Sequence, residues 1–179
     1  LFSILLSFRI HTYVFTADIK QMYRKVLIHD KQRDFQRILW RNDPNQTIQT
    51  FRLKTVTYGT ASAPFLAIRT LFKLADDEGS SYPSAALVLK RDFYVDDVLT
   101  GGDNLQAMIE LQTNLIQLLK AGKFELRKWC ANHPLLLQNI PKEYIEANFL
   151  VDEADKSIKA LGIYWYPLND TFRFKINPT

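Results

Sequence analysis

The sequence predicts an α+β fold, and three observations carry that prediction. Strand-like runs come in neighbouring pairs separated by short, turn-rich segments, the arrangement of hairpins. Only two or three segments show helical periodicity, and they do not alternate one for one with strands as a βαβ series would. The 179 residues are 47% apolar and 13% aromatic, enough to bury a core and rich in the types that suit sheets.

In chain order, Tyr13 to Ile19 is a β-branched and aromatic run that predicts a buried strand ending near Asp18. Phe35 to Trp40 and Thr47 to Lys54 predict a hairpin around the turn Arg41 to Gln46. Pro64 followed by Phe65, Leu66, Ile68, Leu71 and Phe72 predicts a helix with Pro in its first turn, finished by Gly79. Arg91 to Gly101 is apolar on both sides of Asp96-Asp97, which suits two short strands joined by a tight turn. Asp103 and Gln106 read as a capping box for an amphipathic helix that Gly122 terminates. Phe124 to Trp129 alternates as a strand does, and Leu161 to Tyr166 with Thr171 to Ile176 predicts a last hairpin around Pro167 to Asp170. No internal repeat or low-complexity segment interrupts the chain.

Composition also excludes. Disordered and fibrous classes do not fit this apolar content. The longest apolar stretches, Leu1 to Phe8 and Leu135 to Leu137, fall far short of the ~20 residues of a membrane span, so a soluble chain without a membrane partner is expected. A single cysteine, Cys130, rules out an internal disulfide and a cysteine-rich zinc site. The chain opens on Leu1 with no charged stretch before the apolar one, which reads as an excised fragment rather than a signal peptide. The net charge of +4 and pI near 9.1 permit an anionic partner without identifying one. Basic residues cluster from Lys20 to Arg41 and again from Lys120 to Lys128; each cluster is either a solvated face or a contact for a phosphate backbone.

The chemistry concentrates on carboxylates. Adjacent aspartates in an apolar hairpin repel and resist desolvation unless a cation neutralises them, so Asp96-Asp97 is either a divalent-metal site or a plain polar turn. Asp18, at the end of a separate buried strand, is the best third oxygen ligand for Mg²⁺. The other dyad, Asp76-Asp77, precedes Glu78-Gly79 and reads as a solvated helix end. His11, His29 and His133 are scattered and read as ordinary surface or core residues.

Tyr94-Val95-Asp96-Asp97 resembles the YxDD signature of reverse transcriptases, and the wider pattern resembles the BEL/Pao group of long-terminal-repeat retrotransposons. Five segments agree in order: Thr16 to Tyr23, Tyr58 to Phe65, Phe93 to Gly101, Leu126 to Trp129, and Leu161 to Trp165. The resemblance implies a polymerase palm, a small antiparallel sheet packed on helices, formed by residues 1–25 and 63–179, with a partial fingers hairpin at 26–62. It implies an RNA-directed DNA polymerase that extends a primer on an RNA or DNA template with dNTPs, using two Mg²⁺ ions, with Mn²⁺ as an alternative. Asp18, Asp96 and Asp97 would hold the ions, and the Ile19 carbonyl would complete one shell.

By the same resemblance Tyr23, five residues beyond Asp18, would exclude a ribose 2′-hydroxyl; packing against the core is the alternative. Tyr58 and Gly59 would lie at the nucleotide, and Pro64, Tyr94, Gly162 and Trp165 at the primer–template. Tyr58 stands where retroviral enzymes carry Gln, so it could stack but not make amide hydrogen bonds. Lys128, with Lys123 as runner-up, would stabilise the leaving pyrophosphate. Only seventeen residues precede Asp18, and Arg9 is the sole Lys or Arg among them, so the upstream triphosphate grip of retroviral enzymes is missing. The thumb, RNase H and integrase of such polyproteins are expected as separate partners, and cytoplasmic virus-like particles as the location. The alternatives are an inactive remnant or fragment that retains nucleic-acid binding, and a two-metal nuclease.

Overall fold

The computed structural model describes residues 1–146, 158–160 and 163–173. These residues are mixed α+β, with four α-helices and small antiparallel sheets. None of the described helices is long and apolar enough to cross a membrane. The chain divides into two units, Leu1–Lys20 with Phe72–Thr179, and Gln21–Leu71.

The larger unit is organised by strand β1 (Tyr13–Ile19), as expected from its composition. Val14 and Phe15 are fully buried, and β1 sits in the middle of a four-stranded sheet. The sheet runs β4 (Phe93–Tyr94), β5 (Asp97–Gly102), β1, β6 (Leu126–Ala131), all antiparallel. Helix α1 (Phe2–Arg9) brings Ile4 and Phe8 onto Val14, Leu99 and Cys130. Trp165 completes that cluster from the small sheet β7 (Ile158–Ala160), β8 (Ile163–Tyr166), β9 (Thr171–Arg173), its ring meeting Phe8 edge-on at 5.0 Å. Helices α3 (Pro83–Arg91) and α4 (Leu105–Ala121) pack together, with Leu89, Leu115 and Leu119 fully buried.

Several local expectations are corrected. Strand β6 begins at Leu126 rather than Phe124, because the chain is still turning off α4: Lys123 takes a left-handed φ of 61° and the Phe124 N–H returns to the Leu119 carbonyl. Gly122 ends α4 as expected, at a negative φ of -81°, and a Cβ there would meet a Leu74 methyl at 2.7 Å. Asn104, not Asp103, caps α4, its side chain accepting the Ala107 N–H at 2.9 Å, while Asp103 accepts the Thr12 N–H at the mouth of β1.

In the smaller unit, Phe35 and Gln36 belong to a 3₁₀ helix (Asp30–Gln36), so the hairpin is shorter than expected: β2 (Arg37–Trp40) and β3 (Gln49–Arg52). Helix α2 (Ala63–Glu78) starts in this unit with Pro64 in its first turn. Part of the first basic cluster is neutralised locally, Arg33 by Asp30 and Arg37 by Asp34, which also pairs with Arg52 of β3.

Candidate functional site

The site candidates of the larger unit meet at one end of the central sheet. In an antiparallel ladder, directly opposed residues share a face. Asp18, next to last in β1, stands opposite Asp97 of β5 on one side and opposite Arg127 of β6 on the other. Two carboxylates and a guanidinium thus form one row across three strands. Val14, on the same face nearer the other end of β1, lies in the core cluster, while the Asp18 side chain keeps 17% of its surface exposed.

Asp96 comes to this place through the β4–β5 turn. The strands pair Tyr94 with Asp97, leaving Val95-Asp96 as a two-residue loop. Val95 has φ +59°, which a β-branched side chain tolerates badly, at a cost of about 1–3 kcal/mol. Two features hold the turn. The Ile19 N–H donates to the Asp96 carbonyl at 2.8 Å, fastening the tip to the end of β1. At the base, Asp92 is 2% exposed and acts as a clamp: its carbonyl accepts the Leu99 N–H at 3.1 Å and its carboxylate accepts the Thr100 hydroxyl at 2.7 Å. The Arg91 guanidinium closes on the same carboxylate with two bonds, 2.6 and 2.8 Å. Sequence reasoning missed Asp92. The available signal was an acid at the head of the apolar run Phe93 to Leu99, beside Arg91.

The electrostatics follow from this crowding. Burial, then the Asp96 and Asp18 carboxylates, push the Asp97 carboxyl up to about 6, against the pull of Lys128. Burial likewise raises Asp96, with Asp18 adding to it and Lys128 and Arg127 opposing. Asp18 itself is engaged by cations. Arg127 Nε donates to Oδ1 at 3.0 Å and Lys128 Nζ lies 3.5 Å from Oδ2. Consecutive residues of a regular strand point to opposite faces. Here β6 carries a bulge, with Cys130 opposite Thr16 but Arg127 opposite Asp18, and Lys128 at φ +53°, so both cations reach one carboxylate.

Three carboxylates at one sheet end suit a hard divalent cation in donor chemistry. Among the described residues, however, no set of three or more Asp, Glu, His or Cys side chains is gathered closely enough to hold a metal ion. The arrangement departs from the expected triad at Asp18, whose two oxygens are turned to Arg127 and Lys128.

The remaining candidates divide. Tyr94 is 43% exposed beside the turn. In the smaller unit, Tyr23 and Tyr58 meet edge-to-face at 4.7 Å, and Tyr58 is 58% exposed. Gly59 has φ +82°, and a Cβ there would touch nothing within 4 Å, so glycine serves the backbone conformation rather than the packing. Pro64 is exposed at the start of α2. Lys123 closes α4. Trp165, expected at a primer with ordinary hairpin packing as the alternative, is fully buried against Phe8, and its indole N–H donates to Asp170 at 2.8 Å. Gly162 lies outside the described residues. Asp76 and Asp77 pair with Lys90 and Lys73 on an exposed helix end, as their surroundings in sequence suggested. No protein-family model matches the chain, and no curated protein does.

Proposed function

We propose that the chain is the palm part of an RNA-directed DNA polymerase of the BEL/Pao retrotransposon type, extending a primer 3′-hydroxyl with dNTPs on an RNA or DNA template. One observation carries the proposal: Asp97 stands directly opposite Asp18, with Asp96 in a strained turn fastened to the same strand end. Apposed, half-buried carboxylates cost stability, and such arrangements are kept where chemistry uses them.

Asp18, Asp96 and Asp97, with the Ile19 carbonyl, would hold Mg²⁺ or Mn²⁺, which supplies Lewis-acid stabilisation of phosphoryl charge when bound. Lys128, already beside Asp18, offers positive charge for a leaving pyrophosphate. Tyr23 would discriminate against a ribose 2′-hydroxyl, with Tyr58 bracing its ring. Tyr94, at the exposed rim of the turn, would face the primer–template.

The test is extension of a DNA primer on an RNA template with Mg²⁺ and dNTPs, beside Asp96→Asn. The parent extends, and the variant loses at least about a hundredfold, the scale of one lost electrostatic contact in a transition state. A folded parent that binds primer–template duplex in a salt-sensitive way but never extends it would favour a second reading, a nucleic-acid-binding remnant. The observation behind that reading is the Asp18 carboxylate occupied by Arg127 and Lys128.

A further inference from the structure

Positive charge and exposed apolar surface both gather in the smaller unit. Gln21–Leu71 holds nine of the 23 Lys and Arg but only three of the 19 acids, a net charge of +6, which leaves 14 against 16, or −2, in the larger unit. The β2–β3 ribbon lies wholly inside the basic unit. Opposed residues of an antiparallel pair share a face, so Ile38 with Phe51, and Trp40 with Gln49, lie on one face of the ribbon and Leu39 on the other. Ile38, Trp40 and Phe51 are exposed, and they line a groove of about 380 Å³ whose walls also include Arg52 and Lys54. The Trp40 ring is fixed there by its indole N–H, which donates to Asn42 at 2.9 Å. Arg52 has Asp34 as a partner at 3.6 Å, whereas Lys54, and Arg41 directly after Trp40, form no ion pair among the described residues.

From this juxtaposition we infer that the Ile38–Trp40–Phe51 face of the ribbon is a binding site for single-stranded nucleic acid, with bases stacking on Trp40 and Phe51 and phosphates meeting Lys54 and Arg41. Every base has an apolar face that an exposed aromatic ring can cover, but only an unpaired base offers that face, so the rings select single strands over duplex. The size of the face argues against a protein as the occupant. Four residues at about 3.4 Å each, on two strands about 5 Å apart, give an area on the order of 200 Å², well short of the ~800 Å² per partner of a stable protein interface. Two or three nucleotides need no more, and the +6 charge of the unit draws their phosphates to it. The site contains none of the carboxylates of the larger unit's sheet, uses no metal, and stands whether or not the chain polymerises.

Binding of a short fluorescein-labelled oligouridine, followed by anisotropy in EDTA buffer, tests the site with neither metal nor dNTPs present. The whole chain is compared with Trp40→Ala, Phe51→Ala, Trp40→Phe, Leu39→Ala and Lys54→Gln. The parent binds with an affinity that falls as salt rises, and Trp40→Ala and Phe51→Ala each weaken binding by roughly fivefold to a hundredfold, the range for one lost stacking contact. Trp40→Phe, which keeps a ring, retains most of the affinity, and Leu39→Ala, on the opposite face, does not change it. Lys54→Gln lowers the slope of log affinity against log salt by about 0.7, the value for one phosphate contact on a single strand. Trp129 and Trp165 are fully buried, so unlabelled oligouridine quenches the emission of exposed Trp40. A parent that does not bind oligouridine, or Trp40→Ala and Phe51→Ala chains that bind it as the parent does, overturns the inference and leaves the polymerase reading standing. A Leu39→Ala loss as large as that of Trp40→Ala also overturns it, because the two faces would then not differ. Self-association in sedimentation that depends on Trp40, with oligouridine affinity indifferent to that residue, would make the face a protein contact and overturn the inference as well.

Discussion

Two hairpins in this chain look alike in sequence and differ in what they stand on. All eight residues of β2 and β3 are exposed, with Leu39 at 70% and Trp40 at 57%. In the β4–β5 hairpin, Val98, Leu99 and Thr100 are at most 2% exposed. A two-stranded ribbon without a buried face is marginal in water, and its turn must be relaxed. The β4–β5 turn is not relaxed, since Val95 sits at φ +59° and two carboxylates crowd its tip. Strain and charge persist there because the core under Leu99, the Asp92 clamp and the Ile19 hydrogen bond together over-determine the geometry. A chemical site can be built on the supported hairpin; the exposed ribbon can offer only surface.

The largest test of that contrast is a pair of equal truncations. Leu99→Ala removes a side chain from the cluster of Phe8, Val14 and Trp165 and costs about 2–5 kcal/mol, the range for a buried leucine. Leu39→Ala removes the same atoms from the exposed ribbon and changes stability by less than about 0.5 kcal/mol. Urea unfolding of both variants compares them directly, and similar losses would show that the ribbon is buried after all.

A smaller effect comes from relieving the turn. Val95→Gly removes left-handed strain of about 1–2 kcal/mol and adds about 0.5–1 kcal/mol of unfolded-state entropy. A net stabilisation of up to about 1.5 kcal/mol follows, seen as a raised urea midpoint with an unchanged slope. A destabilised variant would mean that Val95 packing outweighs its strain.

Much of the supported hairpin was legible in sequence. Asp18 closes a run of strand-forming residues, and Asp96-Asp97 interrupts an apolar stretch, so their places at a strand end and a turn follow from local pattern. Helix α1 was not legible because Phe2, Leu6 and Ile10 make its exposed side as apolar as the buried side of Ile4 and Phe8, leaving periodicity silent. Helix α3 was missed because its buried face includes Ala85 and Ala86, too small to mark a stripe. Arg127 escaped for a different reason. Alternation puts residues 127 and 128 on opposite faces, and only the bulge, a long-range adjustment between β1 and β6, turns both toward Asp18.

The smallest effect separates the two regions by sign. Asp97 is raised to about 6 by burial and neighbouring carboxylates, so between its unfolded value near 3.8 and about 6 the folded chain holds the extra proton. Its favourable contribution is complete below the unfolded value and is lost as pH rises through the folded one. Asp34, by the β2–β3 ribbon, is shifted the other way by its hydrogen bond from Arg37, so its contribution is present at neutral pH and lost as pH falls. Relative to the parent in metal-free buffer, Asp97→Asn therefore gains stability between pH 4 and 7. Asp34→Asn is less stable than the parent throughout that range, by a smaller amount because exposed pairs are screened, and the deficit closes as pH falls below the unfolded value. Thermal melting across the range reads both. An Asp97→Asn variant that loses ground as pH rises would mean that Lys128 outweighs burial and the neighbouring carboxylates at this carboxyl, and that the supported hairpin carries its charge as easily as the exposed one.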